Sequence, residues 1–186
     1  MRAVIVYESM YGNTRLVAEA IGYGLGSDQD VTIVPVAEAG IQPTSDWDLL
    51  VVGGPTHVHG MSRETTRRSA SDAARSPDSG LELEPEASGG SLRDWLDTLP
   101  AAAGKAAVFA TRADGPVLLT GSAAKGLGKA LRHHGFELVA EPESFVVDKH
   151  NHLLAGEEER AQQWGQSLAA QIRSLAPRHL GSPDEG

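Results

Sequence analysis

A small polar turn follows directly on the first hydrophobic run of the chain. Residues 3–7 are Ala-Val-Ile-Val-Tyr, and residues 8–14 are Glu-Ser-Met-Tyr-Gly-Asn-Thr, after which a helical pattern begins. Backbone N–H groups converge in such a turn, and the N-terminus of the following helix adds partial positive charge. The hydroxyls of Ser9 and Thr14 are further donors. The segment predicts a phosphate-binding turn, although an ordinary strand-to-helix connection stays open on these residues alone.

A second glycine-bearing segment follows a later hydrophobic run. Residues 53–60 are Gly-Gly-Pro-Thr-His-Val-His-Gly, and they come directly after the apolar residues 49–52. Glycine lets a backbone approach a flat ligand closely, and Pro55 restricts the path of the chain. The backbone amides of this segment are then available to the polar edge of such a ligand. The segment therefore predicts one wall of a binding site.

The spacing of apolar residues predicts strands that alternate with helices. The predicted strands cover residues 3–7, 31–36, 47–53, 105–111 and 136–147, the last interrupted at Pro142, and the predicted helices cover residues 13–25, 121–134 and 156–175. Asn13 is the predicted N-cap of the first helix, and Pro35 indicates that the second strand lies at an edge. The alternation predicts an α/β fold of three layers, a doubly wound parallel sheet of five strands in the order 2-1-3-4-5. Its ligand site lies beyond the carboxyl ends of strands 1 and 3, where both polar segments begin.

Taken together, the two polar segments resemble the phosphate-binding and ring-binding segments of the flavodoxin-like FMN-binding family. The resemblance extends to the order of strands and helices over nearly the whole chain, apart from residues 62–91 and the C-terminal tail. A looser match, residues 110–115, follows the fourth strand at the place of the family's second ring-binding loop. The resemblance implies that FMN is the cofactor.

The residues implied to contact FMN form three groups along the chain. Those implied to hold the phosphate are Ser9, Met10 through its backbone amide, Tyr11, Gly12, Asn13 and Thr14. Those implied to line the isoalloxazine ring are Pro55, Thr56, His57, Val58, His59 and Gly60, and those implied to close its other side are Thr111, Arg112, Asp114 and Gly115. We expect no catalytic side chain and no metal ligand.

The aromatic residues depart from the family's pattern. Flavodoxins usually stack a large aromatic near the position of His57 and a tyrosine from the loop after the fourth strand, but here no aromatic lies between Phe109 and Phe136. We therefore expect weaker FMN binding than is typical of the family, or a more open ring face. His57 is equally consistent with a hydrogen bond to the ring and with a position facing solvent, and for His59 we favour solvent. Arg112 is either a counterion for an anionic ligand or a solvated charge.

The composition limits the class of protein. The chain has 186 residues, a formal net charge of −9 at pH 7, no cysteine, and no apolar run long enough to span a membrane. The negative charge argues against nucleic-acid binding, because phosphates would be repelled. We expect one domain over residues 1–176, with a mobile or partner-ordered insertion at about 62–91 and a frayed tail at 177–186. We also expect a cytoplasmic location.

Three functions are consistent with these residues. We favour an FMN-binding, flavodoxin-like electron-transfer protein that exchanges electrons with a redox partner protein. One alternative is an NAD(P)H-dependent FMN oxidoreductase that acts on a quinone-like or porphyrinogen-like acceptor at the open ring face. The other is a flavin-free module of the same fold that binds a protein through residues 62–91. The sequence does not set the partner, the acceptor, the reduction potential or the oligomeric state.

Overall fold

The computed structural model contains six strands, which all join one sheet. It describes residues 1–26, 30–40, 47–56, 60–62, 64–75, 79–116 and 121–175. The strands are β1 (Arg2–Tyr7), β2 (Asp30–Pro35), β3 (Leu49–Pro55), β4 (Gly104–Ala113), β5 (Phe136–Leu138) and β6 (Glu143–Val147). Their pairings are all parallel and follow the order β2-β1-β3-β4-β5, with β6 paired to β4. The predicted fold class and strand order are confirmed.

The predicted fifth strand is divided into two short strands along the same edge of β4. β5 pairs with β4 at residues 104–106, and β6 pairs with it at residues 109–113. Pro142, just before β6, has no backbone N–H to donate to a ladder, which explains the break that the sequence predicted. Because β6 runs parallel to β4, its carboxyl end reaches the same edge of the sheet as the carboxyl ends of β1, β3 and β4.

Five helices occupy the described part of the chain and cover both faces of the sheet. They are α1 (Asn13–Leu25), α2 (Glu64–Ala74), α3 (Leu92–Thr98), α4 (Ala123–His133) and α5 (Glu157–Leu175). The strand residues alternate between the faces: Val4, Val6, Leu50 and Val52 pack with α3 and α4, whereas Ala3, Ile5, Leu49 and Val51 pack with α1 and α5. None of these helices combines the length and apolar character that a membrane crossing requires.

The start of α1 differs from the prediction. Gly12, not Asn13, is the N-cap residue, with a left-handed φ of 91° that suits glycine. Asn13 is the first helical residue, and its side-chain amide donates instead to the carbonyl of Asn151, at 2.8 Å. The prediction from Pro35 is confirmed, because β2 lies at an edge of the sheet, where the missing N–H is tolerated.

The region 62–91 contains more regular structure than the sequence predicted. α2 occupies Glu64–Ala74, and a 3₁₀ turn occupies Pro85–Ser88. α2 was missed because its sequence is mainly polar and has no apolar stripe to mark a helix. The helical character expected from residue 91 onward is present as α3, whose N-cap Ser91 accepts from the backbone N–H of Asp94. The mobility of this region stays a prediction.

Helices α1 and α5 cross closely because two glycines lie at their contact. A Cβ atom added at Gly24 would lie 2.0 Å from the carbonyl oxygen of Gln162. One added at Gly165 would lie 2.3 Å from the carbonyl oxygen of Ile21. Both neighbours are backbone atoms, so neither can move aside as a flexible side chain can. The crossing therefore needs glycine at both positions.

We expect Gly165→Ala to lower the free energy of unfolding by about 1–3 kcal/mol, because the added methyl group forces the two helices apart. Gly126→Ala in α4 is the matched control, since its Cβ would meet only Met61 at an ordinary 3.5 Å. That variant should be neutral or should gain up to about 1 kcal/mol in helix propensity. Urea unfolding followed by circular dichroism measures both. Equal stability of the two variants would contradict the assigned helix contact.

Candidate functional site

A cavity of about 370 Å³ opens at the carboxyl ends of the strands. It is lined by Ser9, Met10, Tyr11, Asn13, Thr14, Pro55, Thr56, Leu81, Thr111, Arg112, Ala113, Val147, Asp148, Lys149 and Asn151. The two polar segments singled out in the sequence thus meet at one cavity. Its volume falls within the range of small-molecule sites, roughly 300–1,000 Å³.

The turn at residues 9–14 presents unpaired backbone donors. The N–H of Gly12 donates to the hydroxyl oxygen of Ser9 at 3.1 Å, which closes the turn. Within the described part of the chain, no acceptor contacts the N–H groups of Tyr11, Asn13 and Thr14, and no side chain caps α1. Buried or half-buried amides without partners are costly unless water or a ligand satisfies them. Together with the helix dipole, they form a cradle that fits an anion.

A chain of hydrogen bonds connects this turn to the other walls of the cavity. The hydroxyls of Thr14 and Thr111 lie 2.9 Å apart, and both side chains are buried. The carbonyl of Thr111 accepts from the N–H of Thr56 at 2.7 Å. The hydroxyl of Thr56 in turn accepts from the N–H of Ala123, so it caps α4. Because these groups bind one another, the three walls are fixed relative to each other.

The segment after Phe109, which the resemblance implied to be a loop, is partly strand, because β4 extends to Ala113. Thr111 and Arg112 belong to β4, where they pair with Phe145 and Val146 of β6, and both line the cavity. Arg112 donates through Nη1 to the carbonyls of Ala113 and Gly115, at 3.1 and 2.8 Å. Asp114 and Gly115 lie beyond the end of the strand and do not line the cavity.

The remaining predicted cofactor residues divide into three cases. Gly12 contributes backbone conformation to the turn, and Gly60 is described but does not line the cavity. His57, Val58 and His59 lie outside the described residues. Contact of any of the predicted residues with FMN stays a prediction.

The two glycines before Pro55 have a packing role that the sequence did not suggest. A Cβ at Gly53 would lie 2.0 Å from the ring of Phe109, and a Cβ at Gly54 would lie 2.7 Å from a methyl group of Leu92. These glycines belong to β3 and leave room for core side chains. The structure thus gives these two glycines a packing role, and their close approach to a ligand stays a prediction.

The sequence reasoning missed the loop after β6, residues 148–152. Asp148, Lys149 and Asn151 of this loop line the cavity. Hydrogen bonds to the Asp148 carboxylate from the N–H of His152 and from that of His150 lower the pKa of this group below its ordinary value. The signal was available, because polar residues that follow a parallel strand lie at the ligand edge of the sheet.

Described residues of the inserted region, 62–91, contact the turn. The hydroxyl of Tyr11 donates to the carbonyl of Ala70 at 2.8 Å, and burial raises the pKa of this phenol. The N–H of Glu84 donates to the carbonyl of Met10 at 2.9 Å, and the Glu84 carboxylate pairs with Arg15. The hydroxyl of Tyr11 is thus committed to α2, and this residue has only its backbone amide to offer a phosphate.

A buried carboxylate lies at the start of the turn. Glu8 is 5% exposed, and its own N–H donates to the carbonyl of Gly53. One of its oxygens accepts from the hydroxyl of Ser62, and the other accepts from the N–H of Leu92 at 2.9 Å. Glu8 therefore links the 9–14 turn to Ser62 and to the first turn of α3. No three His, Asp or Glu side chains of the described ranges converge as metal ligands would.

A doubly wound sheet with a cavity at this position is typical of nucleotide- and flavin-binding proteins. The chain matches the sequence model of the flavodoxin family over residues 5–164. Because that match spans most of the chain, the protein belongs to the flavodoxin family, as its polar segments predicted. It is accordingly a flavin-binding electron-transfer protein of flavodoxin type.

Solved structures of similar fold agree with this assignment. A flavodoxin from the domain Archaea has a TM-score of 0.62 at 18% identity, covering 93% of this chain and 99% of that one. Oxidised flavodoxin 1 from Bacillus cereus has a TM-score of 0.62 at 17% identity, covering 95% and 100%. A WrbA-like flavodoxin from Agrobacterium tumefaciens has a TM-score of 0.54 at 17% identity, covering 93% and 98%. At such identities the likeness is one of fold. No protein with a curated description matches the sequence.

We expect Glu8→Ala to lower the free energy of unfolding by about 1–3 kcal/mol, because it leaves the buried N–H of Leu92 without an acceptor. Glu8→Gln is the matched control, since its amide oxygen can accept from Leu92 and its NH₂ group can donate to the hydroxyl of Ser62. Thermal unfolding of the two variants distinguishes them. An equal loss in both would mean that the negative charge, rather than the hydrogen bonds, is what stabilises the fold.

Proposed function

We propose that this flavodoxin-family chain binds FMN in the cavity at residues 9–14, 55–56 and 111–112, and exchanges electrons with a redox partner protein. The single observation that carries the proposal is the uncapped N-terminus of α1, where the N–H groups of Tyr11, Asn13 and Thr14 have no acceptor among the described residues. A monophosphate matches this cradle because it brings several acceptor oxygens to one place. Family membership supports a flavin as the cofactor, and the anion cradle supports FMN, the phosphorylated flavin, as its form.

The remaining walls of the cavity suit the isoalloxazine ring. Pro55 ends β3 and Thr56 follows it, directly before residues 57–60, which are proposed to continue along the ring. Thr111 and Arg112, on the neighbouring strand β4, also line the cavity. We propose that His57, Val58, His59 and Gly60 contact the ring as the family resemblance implies, and that Asp114 and Gly115 approach it from the end of β4.

The protein's part in the reaction is to bind and orient. FMN, when bound, supplies the redox chemistry by accepting and releasing electrons. The turn at residues 9–14 holds the phosphate, and the hydroxyl pair Thr14–Thr111 keeps that turn in register with the ring wall. No side chain is proposed as an essential acid or base. The role of this chain is therefore to set the position and the surroundings of the ring.

An oxidoreductase activity is the second candidate, and Arg112 favours it. This guanidinium lines the cavity wall, where it can accompany an anionic reduced flavin or the phosphate of a nicotinamide donor. An assay with NADPH and a quinone separates the candidates. Rapid turnover without an added reductase identifies an enzyme, whereas turnover only with a reductase identifies an electron carrier.

The domain boundaries and location are also proposals. Both apolar clusters pack on one sheet, which supports a single domain over residues 1–176 with an insertion at about 62–91 and a tail at 177–186. The absence of cysteine from the sequence supports a cytoplasmic location.

We expect the purified protein to carry, or to take up, one FMN with a flavin absorbance spectrum, and to quench FMN fluorescence on titration. Thr14→Val should weaken FMN binding about tenfold, because it removes a hydroxyl from the cradle and its bond to Thr111. Thr32→Val, on the exposed face of the edge strand, is the matched control and should bind as the wild type does. Protein that stays colourless and leaves FMN fluorescence unquenched would support the flavin-free module instead.

A further inference from the structure

The loop after β6 is held by hydrogen bonds among its own residues. The Asp148 carboxylate accepts from the N–H groups of His150 and His152, at 2.8 and 2.9 Å. The N–H of Asp148 donates to the carbonyl of His152 at 2.8 Å, and the N–H of Asn151 donates to the carbonyl of Asp148 at 3.1 Å. Asn151 adopts a left-handed φ of 64°, which asparagine tolerates better than most residues. The loop therefore presents its side chains from a defined backbone.

This loop is attached to the start of α1. The side-chain amide of Asn13 donates to the carbonyl of Asn151 at 2.8 Å. Asn13 is also one of the residues whose backbone N–H faces no acceptor in the described chain. A hydrogen bond thus joins the loop directly to a residue of the anion cradle. Lys149, two residues before Asn151, lines the same cavity as the cradle.

The charges at the cavity give Lys149 a distinct role. Among the described residues no carboxylate forms an ion pair with the Lys149 ammonium, whereas Asp148 is engaged by two amides. Arg112, the other cation of the cavity, directs Nη1 to the carbonyls of Ala113 and Gly115. The chain as a whole carries a formal charge of −9, which opposes the approach of a dianion. An unpaired ammonium at the cavity offsets that repulsion locally.

We infer that Lys149 binds the phosphate of the flavin together with the 9–14 turn, as a charged partner that complements the neutral amides. The inference rests on the proposed FMN site and deepens it. Lysine binds phosphate as a flexible point charge, so it needs no fixed bidentate geometry. The consequence is selectivity: Lys149 stabilises FMN but contributes nothing to riboflavin, which has the same ring without the phosphate.

The test is a set of titrations with FMN and with riboflavin at low and at high salt. The proteins are the wild type, Lys149→Gln, Lys149→Arg and the control Lys129→Gln, which removes an equal charge from an exposed position on α4. We expect Lys149→Gln to raise the Kd for FMN about tenfold at low salt, to reduce the salt dependence of that Kd, and to leave the Kd for riboflavin within about twofold. Lys149→Arg and Lys129→Gln should bind FMN within about twofold of the wild type.

Two results would overturn the inference. One is an equal weakening of FMN and riboflavin in Lys149→Gln, which would mean that the substitution disturbs the loop rather than a phosphate contact. The other is an equal effect of Lys149→Gln and Lys129→Gln, or no effect of either, which would assign Lys149 only to the general charge of the surface. The wild-type titrations decide the proposed function separately, since a wild type that binds neither flavin contradicts the FMN site itself.

Discussion

The parallel pairing of β1, β3 and β4 is the constraint on which the site depends. Tyr7 pairs with Gly53, and Pro55 pairs with Thr111, so three strands end at one edge in a fixed register. Polar residues lie at or directly after the end of each strand, and they form the walls of the cavity. The hydrogen bond between Thr14 and Thr111 joins the wall after β1 to the wall at the end of β4. A one-residue slip in either pairing would send the hydroxyls and amides to different faces. Site geometry and core packing are therefore set by the same strand contacts.

The inserted region is part of this arrangement. It packs against the 9–14 turn through contacts with Tyr11, Met10 and Arg15, and its Leu81 also lines the cavity. Met10, Ala70 and Ala87 form a small apolar cluster of their own there. An anion-binding turn with several unpaired amides is costly to hold open without a ligand. The contacts from the insertion hold the backbone of this turn in place and so contribute to its preorganisation.

Much of the fold could be predicted because it depends on patterns that are local in sequence. The apolar runs of β1, β3 and β4 and the 3.6-residue spacing of α1 and α5 each carry their own signal, and right-handed crossovers then leave few topologies. α2 could not be predicted in this way, because it is stabilised by two contacts with the turn rather than by an apolar stripe. The N-cap was misassigned because the left-handed Gly12 moved the helix start by one residue.

The site could be predicted only in part, because some of its residues are marked by local sequence and others are positioned by contacts distant in sequence. The 9–14 turn was predicted to line the site from its small and hydroxyl residues between a strand and a helix, a pattern that favours phosphate binding. The packing role of Gly53 and Gly54 could not be predicted, because it depends on Phe109 and Leu92, which are distant in sequence. The loop at residues 148–152 could have been placed at the ligand edge, because it follows a parallel strand. Its attachment to α1 could not be predicted, because no local pattern reveals the Asn13–Asn151 hydrogen bond.

The most direct measurement of the central claim is the response of individual backbone amides to FMN, followed by ¹H–¹⁵N NMR on the full chain. If the ends of three strands bind one phosphorylated ligand, the amide chemical shifts of the 9–14 turn (Tyr11, Asn13 and Thr14) change together with those of Thr56 and Arg112. All of these changes then follow one saturation curve. Riboflavin then moves the amides of Thr56 and Arg112 but leaves those of the turn nearly unchanged. Shifts that are confined to one strand end, or that saturate at different FMN concentrations, would contradict the account.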